Sequence, residues 1–282
     1  MITVQDLTFS YTGKPFIEGM NFDVRDGEIF GFLGPSGAGK STLQKILIGL
    51  LPRYGGSVRV DGAEAKRAGK GFYEKIGVDF EFPSLYEKLT GRENLRFFAS
   101  LYPAHRETDK LLKAIGLYQD ANKKVSEYSK GMKSRLNFAK ALLHSPKLLF
   151  LDEPTNGLDP SNARVMKELI LAEKAAGRTI ILTTHNMYDA TELCDRVSFI
   201  VDGAIRALDT PRALMTKTGA TQINYAFRSQ GGKLLERAVP LHETGGDETL
   251  LRLVRENKLV SIHSAEPTLN DIFVEMTGRR LQ

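Results

Sequence analysis

The 282 residues suffice for one large α/β domain with a small appendage and an ample core; at 41% hydrophobic and 26% charged they have an ordinary soluble balance. No apolar run approaches the roughly 18 residues of a membrane-spanning helix, and 39 basic residues against 34 acidic ones, with no basic stripe interleaved with aromatics, give no reason to expect a nucleic-acid partner. Met1–Ser10 lacks the basic and apolar regions of a signal peptide, and Cys194, the single cysteine, cannot form an internal disulfide, so a reducing cytoplasm is expected.

Taken in chain order, alternating or clustered apolar residues at 2–9, 21–24, 28–33 and 57–60, separated by Gly-containing turns, predict an N-terminal β layer. The run Glu28–Leu33 leads straight into GPSGAGKST, Gly34–Thr42, and then into the helical Leu43–Leu50. Strand, glycine loop and helix in this order form the context of a phosphate-binding loop. In such a loop Gly34, Pro35, Ser36, Gly37, Ala38 and Gly39 close around phosphates, Lys40 reaches the β and γ oxygens, Ser41 offers a hydroxyl to Mg²⁺, and Thr42 ends the run.

From about 84 to 145 the pattern turns helical. TGRE, Thr90–Glu93, is a capping box before Leu95, Phe98, Ala99 and Tyr102 at helical spacing, and Leu136, Ala139 and Leu143 mark a further helix. Lys147–Asp152 and Arg178–Thr184 read as strands buried in a parallel sheet, with a helix over about 160–176 between them. That β-α-β order predicts a doubly wound sheet with ligands at the carboxyl ends of its strands. The first of these strands ends in Asp152 and Glu153, an acid able to hold Mg²⁺ beside Ser41 and one able to orient and deprotonate water. After about 208 the character changes to a mixed α/β tail, with breaks at Pro211-Arg212 and 228–233 and a closing helix in Pro267–Gly278, capped by Thr268 and stopped by Gly278.

With these motifs in this order, residues 1–208 resemble the ATP-binding cassette (ABC) ATPases. YSKGMK, Tyr128–Lys133, stands where the family's LSGGQ signature lies; Pro154–Pro160 is similar to the D-loop region, His185 to the switch histidine, and Tyr11 to the aromatic that stacks on adenine. The resemblance implies a P-loop NTPase domain over 1–210, with an N-terminal antiparallel β layer, a RecA-like parallel sheet and a helical subdomain at about 84–145, followed by a small α/β extension over 211–282. It implies ATP and Mg²⁺, and a head-to-tail dimer, either of two copies or with a second ATPase subunit. In that dimer Ser129 and the Gly131 amide contact the γ-phosphate held by the other subunit, Glu153 is the general base, His185 contacts the γ-phosphate and water, and Asp159 links the two sites.

Two departures stand out. Glu81 falls where the family's Q-loop glutamine contacts Mg²⁺ and the attacking water, which places it with Ser41 and Asp152 in the metal-facing set; a carboxylate keeps the oxygen ligand but loses the amide donor and repels a phosphate when metal is absent. Lys130 and Met132 replace a glycine and a glutamine of the signature, and Lys130 either adds charge near the phosphates or points into solvent. YSKGM and Glu266–Gly278 also resemble the branch whose ATPases serve separate multi-span export permeases. That implies an exporter ATPase, peripheral on the inner face of the membrane through its permease, with Pro83–Thr90 as the contact surface. An importer ATPase and a soluble cluster-assembly ABC ATPase are the alternatives. The cargo is not specified, because such an ATPase touches nucleotide and permease only.

Overall fold

The computed structural model describes residues 1–216, 222–229 and 231–278; Gln230, within the break at 228–233, lies outside them. The chain divides into a unit built from Met1–Leu208 and one built from Asp209–Arg280.

The first unit opens with β1 (Ile2–Ser10) and β2 (Pro15–Val24), then β3 (Ile29–Leu33), α1 (Lys40–Leu47), β4 (Gly55–Val60), β5 (Ala63–Glu64), α2 (Lys70–Tyr73) and β6 (Ile76–Asp79). Strands β2-β1-β4-β5 form an antiparallel sheet in that order. β1 alternates, burying Ile2, Val4, Leu7 and Phe9 and exposing the residues between, as a strand covered on one face must.

Strand β3 departs from the expected layer. All five of its residues are buried, so it cannot face water on either side, and it lies near the middle of a second sheet of six strands. Its partners there are β8 (Thr179–Thr184) and β9 (Arg196–Val201), both parallel to it. The sheet order is β10-β9-β3-β8-β7-β6, with β7 at Leu148–Asp152 and β10 at Ala204–Asp209. The core joins Ile2, Val4 and Leu7 of the antiparallel sheet to Phe30, Phe32, Leu43 and Phe150. Phe22 of β2 meets the Phe32 ring edge-on at 5.3 Å.

Between β6 and β7 run α3 (Gly91–Ala99), α4 (Thr108–Ala114) and α5 (Lys130–Ala141), which pack on one another. The capping box at α3 forms: the Thr90 side chain accepts from the Glu93 amide and Glu93 accepts from the Thr90 amide. α6 (Pro160–Ala175) and α7 (Met187–Leu193) follow β7 and β8, so each acts as a crossover helix between parallel strands.

In the second unit, β12 (Leu234–Pro240), β11 (Gln222–Arg228) and β13 (Leu259–Ala265) make an antiparallel sheet in that spatial order. Tyr225 and Val239 pack with Leu250 and Leu253 of α9 (Glu248–Arg255) in a small core. α8 (Pro211–Thr216) packs on α10 (Leu269–Thr277), which has Thr268 as N-cap and Gly278 in the left-handed conformation as its stop.

Candidate functional site

Strand β3 delivers the chain into the loop 34–39, and Gly39, at φ 111°, turns it into α1. Gly34 passes so close to β9 that a Cβ there would lie 2.2 Å from the Ile200 carbonyl oxygen. Lys40 is 8% exposed and donates to the Gly34 carbonyl at 2.6 Å and the Pro35 carbonyl at 3.1 Å, so it closes the loop on itself. Pro35 has no N–H to offer a phosphate and contributes shape and this carbonyl. Burial lowers the Lys40 pKa, while Glu153, Asp152 and Glu81, in that order of strength, pull it back up.

Loop and acids share one cleft of about 300 Å³. It is lined by Ser36, Gly37, Gly39, Lys40, Ser41 and Thr42 of the loop and helix start, and by Glu81, Asp152, Glu153, Asn156 and His185. Phe16 also lines it. Tyr11 is 58% exposed, sends its hydroxyl to Thr42 Oγ1 at 2.9 Å, and meets Phe9 edge-on at 4.7 Å.

Sheet register brings the acids to the residues that hold them. Asp152 pairs with Thr183 in the parallel ladder, which sets Glu153 beside Thr184 and His185. The Thr183 hydroxyl donates to Asp152. Burial raises the Asp152 pKa and the charge of Glu81 raises it further, against the Thr183 hydrogen bond and Lys40. An acid disfavoured in this way gains from a cation. Glu153 has φ 49°, an uncommon value for a residue with a side chain. Thr184 donates to its Oε2 at 3.1 Å, and His185 Nδ1 lies 2.9 Å from its Oε1. A carboxylate only accepts, so Nδ1 carries the hydrogen.

Among the described residues, no cluster of three or more His, Cys, Asp or Glu makes a metal cage by itself. Asp152, Glu81 and the Ser41 hydroxyl line the same cleft, and these donors fit Mg²⁺, which binds through one or two carboxylates plus phosphates of its substrate. Glu81 accepts from Asn156 Nδ2 at 3.1 Å.

Ser129 and Gly131 are not among the residues lining this cleft. Ser129 is the N-cap of α5 and accepts from the Met132 amide at 3.2 Å. A Cβ on Gly131 would lie 2.4 Å from the Asn162 side chain, so that glycine permits close packing against α6. Asp159 caps α6, accepting from the amides of Ser161 and Asn162. Lys130 borders a neighbouring cavity of about 320 Å³ that also touches Glu81, Asp152 and Glu153. Its ammonium lies over Gly157, where an added Cβ would be 2.1 Å away.

Sequence reasoning missed Phe16, which lies in no motif, Asn156, which lies within Pro154–Pro160 with no role assigned to it there, and the pair Asp79 and Asn137, which lie 58 residues apart and border the 320 Å³ cavity. Burial, the largest influence, pushes the Asp79 carboxyl up to about 7 against Lys140 and Asn137.

A glycine loop at the end of β3, sharing a cleft with acids at the end of β7, on the far side of β8 in the same sheet, defines a P-loop nucleoside triphosphatase. The family described as ABC transporter matches residues 17–156. A fluoroquinolones export ATP-binding protein of Mycobacterium tuberculosis is 51% identical, over 100% of this chain and 94% of its own length. The linearmycin resistance ATP-binding protein LnrL of Bacillus subtilis is 31% identical over 100% of both chains. A solved dimeric ATP-binding cassette in a post-hydrolysis state, bound to ADP and Pi, superposes with a TM-score of 0.66 at 25% identity, over 74% of this chain and 98% of that one. The chain belongs to the ABC transporter family, as one of its ATP-binding, ATP-hydrolysing subunits.

Proposed function

We propose that the chain is the ATPase subunit of an exporter, acting in a head-to-tail dimer that drives a separate membrane permease. One observation carries the dimer. Lys40, Asp152, Glu153 and His185 converge on one cleft, whereas Ser129 and Gly131 lie outside it, so a single chain supplies half of a phosphate-enclosing site at each of two places. A second copy, or a related ATPase subunit, completes both halves. Its α5 N-terminus would present the Ser129 hydroxyl and Gly131 amide to the γ-phosphate.

Within the cleft, Lys40 exchanges the carbonyls of Gly34 and Pro35 for β and γ oxygens. Ser41, Asp152 and Glu81 would hold Mg²⁺, which when bound offsets phosphate charge. Glu153, fixed through both oxygens by Thr184 and His185, orients a water and takes its proton as the oxygen bonds to the γ-phosphorus and the bond from that phosphorus to the bridging oxygen breaks, leaving ADP and inorganic phosphate. Tyr11 does not line the cleft, but it is 58% exposed and its hydroxyl reaches Thr42, which does; its ring would stack on adenine.

The names of the two relatives, fluoroquinolone export and linearmycin resistance, favour export of a drug-like cargo over import. No helix among the described residues is long and apolar enough to cross a membrane, which fits attachment at the inner membrane face through a permease. The contact surface is Pro83–Thr90 with its neighbours. Phe82 just before it is 78% exposed, and Tyr86, 50% exposed, meets Phe97 edge-on at 5.0 Å and stacks with Phe98 at 5.8 Å.

Two measurements test the reading. Glu153→Gln in Mg²⁺-ATP should run as a dimer on size-exclusion chromatography, and the native chain should co-purify with a multi-span membrane protein. A monomeric Glu153→Gln protein would remove the dimer, and capture of a soluble scaffold in place of a membrane protein would favour the cluster-assembly alternative.

A further inference from the structure

The geometry points to Asp79 and Asn137 as a positioning pair that ties the segment carrying Glu81 to α5, so that movement of the α5 N-terminus is felt at the hydrolytic cleft. Asp79 ends β6 two residues before Glu81 and is 5% exposed; Asn137, on α5, is 2% exposed. Asn137 Nδ2 donates to Asp79 and reaches the Phe80 carbonyl at 3.5 Å, while its Oδ1 has no partner. One side chain therefore grips two consecutive residues of the segment that leads to Glu81.

The path is continuous at both ends. Asn137 sits seven residues beyond Lys130, about 10 Å along a stiff helix whose N-cap is Ser129. At the other end Asn156 holds Glu81 at 3.1 Å, and the Asn156 amide donates to the Glu153 carbonyl at 3.0 Å. Asp79, Phe80, Glu81 and Asn137 all border the 320 Å³ cavity, so on that side hydrogen bonds rather than packing fix the segment.

Structural need alone accounts poorly for these residue types. A buried carboxylate answered by one amide is costly, and an amide oxygen left without a partner adds to the cost; two apolar residues would fill the same space at less expense. Two charged residues act on Asp79, Lys140 of α5 attracting and Asp152 of the cleft repelling. The pair thus stands between the α5 helix and the acid at the end of β7.

The test measures steady-state ATPase kcat and KM for three comparisons, and rests on the proposed role of Glu81. Asn137→Ala should lower kcat at least tenfold and leave KM for ATP within twofold. The exchanged pair, Asp79→Asn with Asn137→Asp, rebuilds the hydrogen bond with its polarity reversed and should recover kcat to within threefold. In a Glu81→Ala background, Asn137→Ala should change kcat less than twofold, because both act on one element. Full kcat in Asn137→Ala with only a lower thermal midpoint overturns the inference, as does a folded exchanged pair more than threefold impaired, or losses that multiply with Glu81→Ala. If Asn137→Ala fails to fold, the exchanged pair decides by the same threefold limit. A Glu81→Ala protein with native turnover would instead overturn the metal-facing reading of Glu81, a result separable from recovery in the exchanged pair.

Discussion

Removing the His185 imidazole tests the chemistry of the cleft most directly. The ring makes one hydrogen bond to Glu153 Oε1, at 2.9 Å, while Thr184 holds Oε2 at 3.1 Å. A hydrogen bond to a charged group contributes about 1.5–3 kcal/mol and a neutral one about 0.5–1.5 kcal/mol. If the bond serves to aim the carboxylate at water, its loss appears in the transition state. At 1.36 kcal/mol per tenfold, His185→Ala should then lower kcat about 10- to 100-fold, with KM for ATP within about twofold because the phosphate loop is untouched. Thr184→Ala, which removes the second and longer hydrogen bond to the same carboxylate, should cost no more than His185→Ala. Phosphate release under saturating Mg²⁺-ATP gives kcat, and binding of a fluorescent nucleotide reports affinity without turnover. A His185→Ala protein that loses affinity while keeping kcat, or a Thr184→Ala protein more impaired than His185→Ala, would refute the reasoning.

Glu81→Gln should shift the Mg²⁺ titration of ATPase activity, the native carboxylate showing the stricter dependence; superimposable titrations would sink the metal-facing assignment. Gly34→Ala forces a Cβ to within 2.2 Å of a backbone oxygen on β9 and should destabilise the first unit by about 1–3 kcal/mol, read as a lower thermal midpoint; an unchanged midpoint would show that β9 yields freely. Asp247 caps α9 through the Leu250 amide at 2.8 Å and accepts from the Tyr225 hydroxyl, and these bonds lower its pKa, the amide most. A depressed acid contributes stability above its unfolded pKa, about 4, and loses it as pH falls through the folded value. Thermal unfolding of native protein and Asp247→Ala should therefore differ at pH 7 and converge towards pH 3; parallel curves would exclude the cap as the cause.

What could be read from the sequence was local. The loop 34–42, the acids after Phe150-Leu151 and the capping residues at Thr90 and Thr268 all act within a few positions, so their spacing shows their geometry. Pairing between distant segments was less legible. Strand β3 reads like its N-terminal neighbours because a short apolar run has no visible partner; only its burial on both faces sends it between β8 and β9. The hydrogen bond from Asn137 to Asp79 and that from Asn156 to Glu81 join residues 58 and 75 positions apart, and no local pattern announces either. Lys130 belongs with these, since its ammonium lies against Gly157, which follows β7 in the chain.

The left-handed backbone at Glu153 has an evolutionary consequence. A side-chain-bearing residue at φ 49° carries strain of about 1 kcal/mol or more, which glycine would not and asparagine would feel less. Selection for thermal endurance alone would drive position 153 towards those two residues, and a library sorted only for folding should be enriched in them. The acid proposed to take the proton from water is thus held against the preference of its own backbone, and descendants of this chain that had lost it would tend to be the sturdier ones.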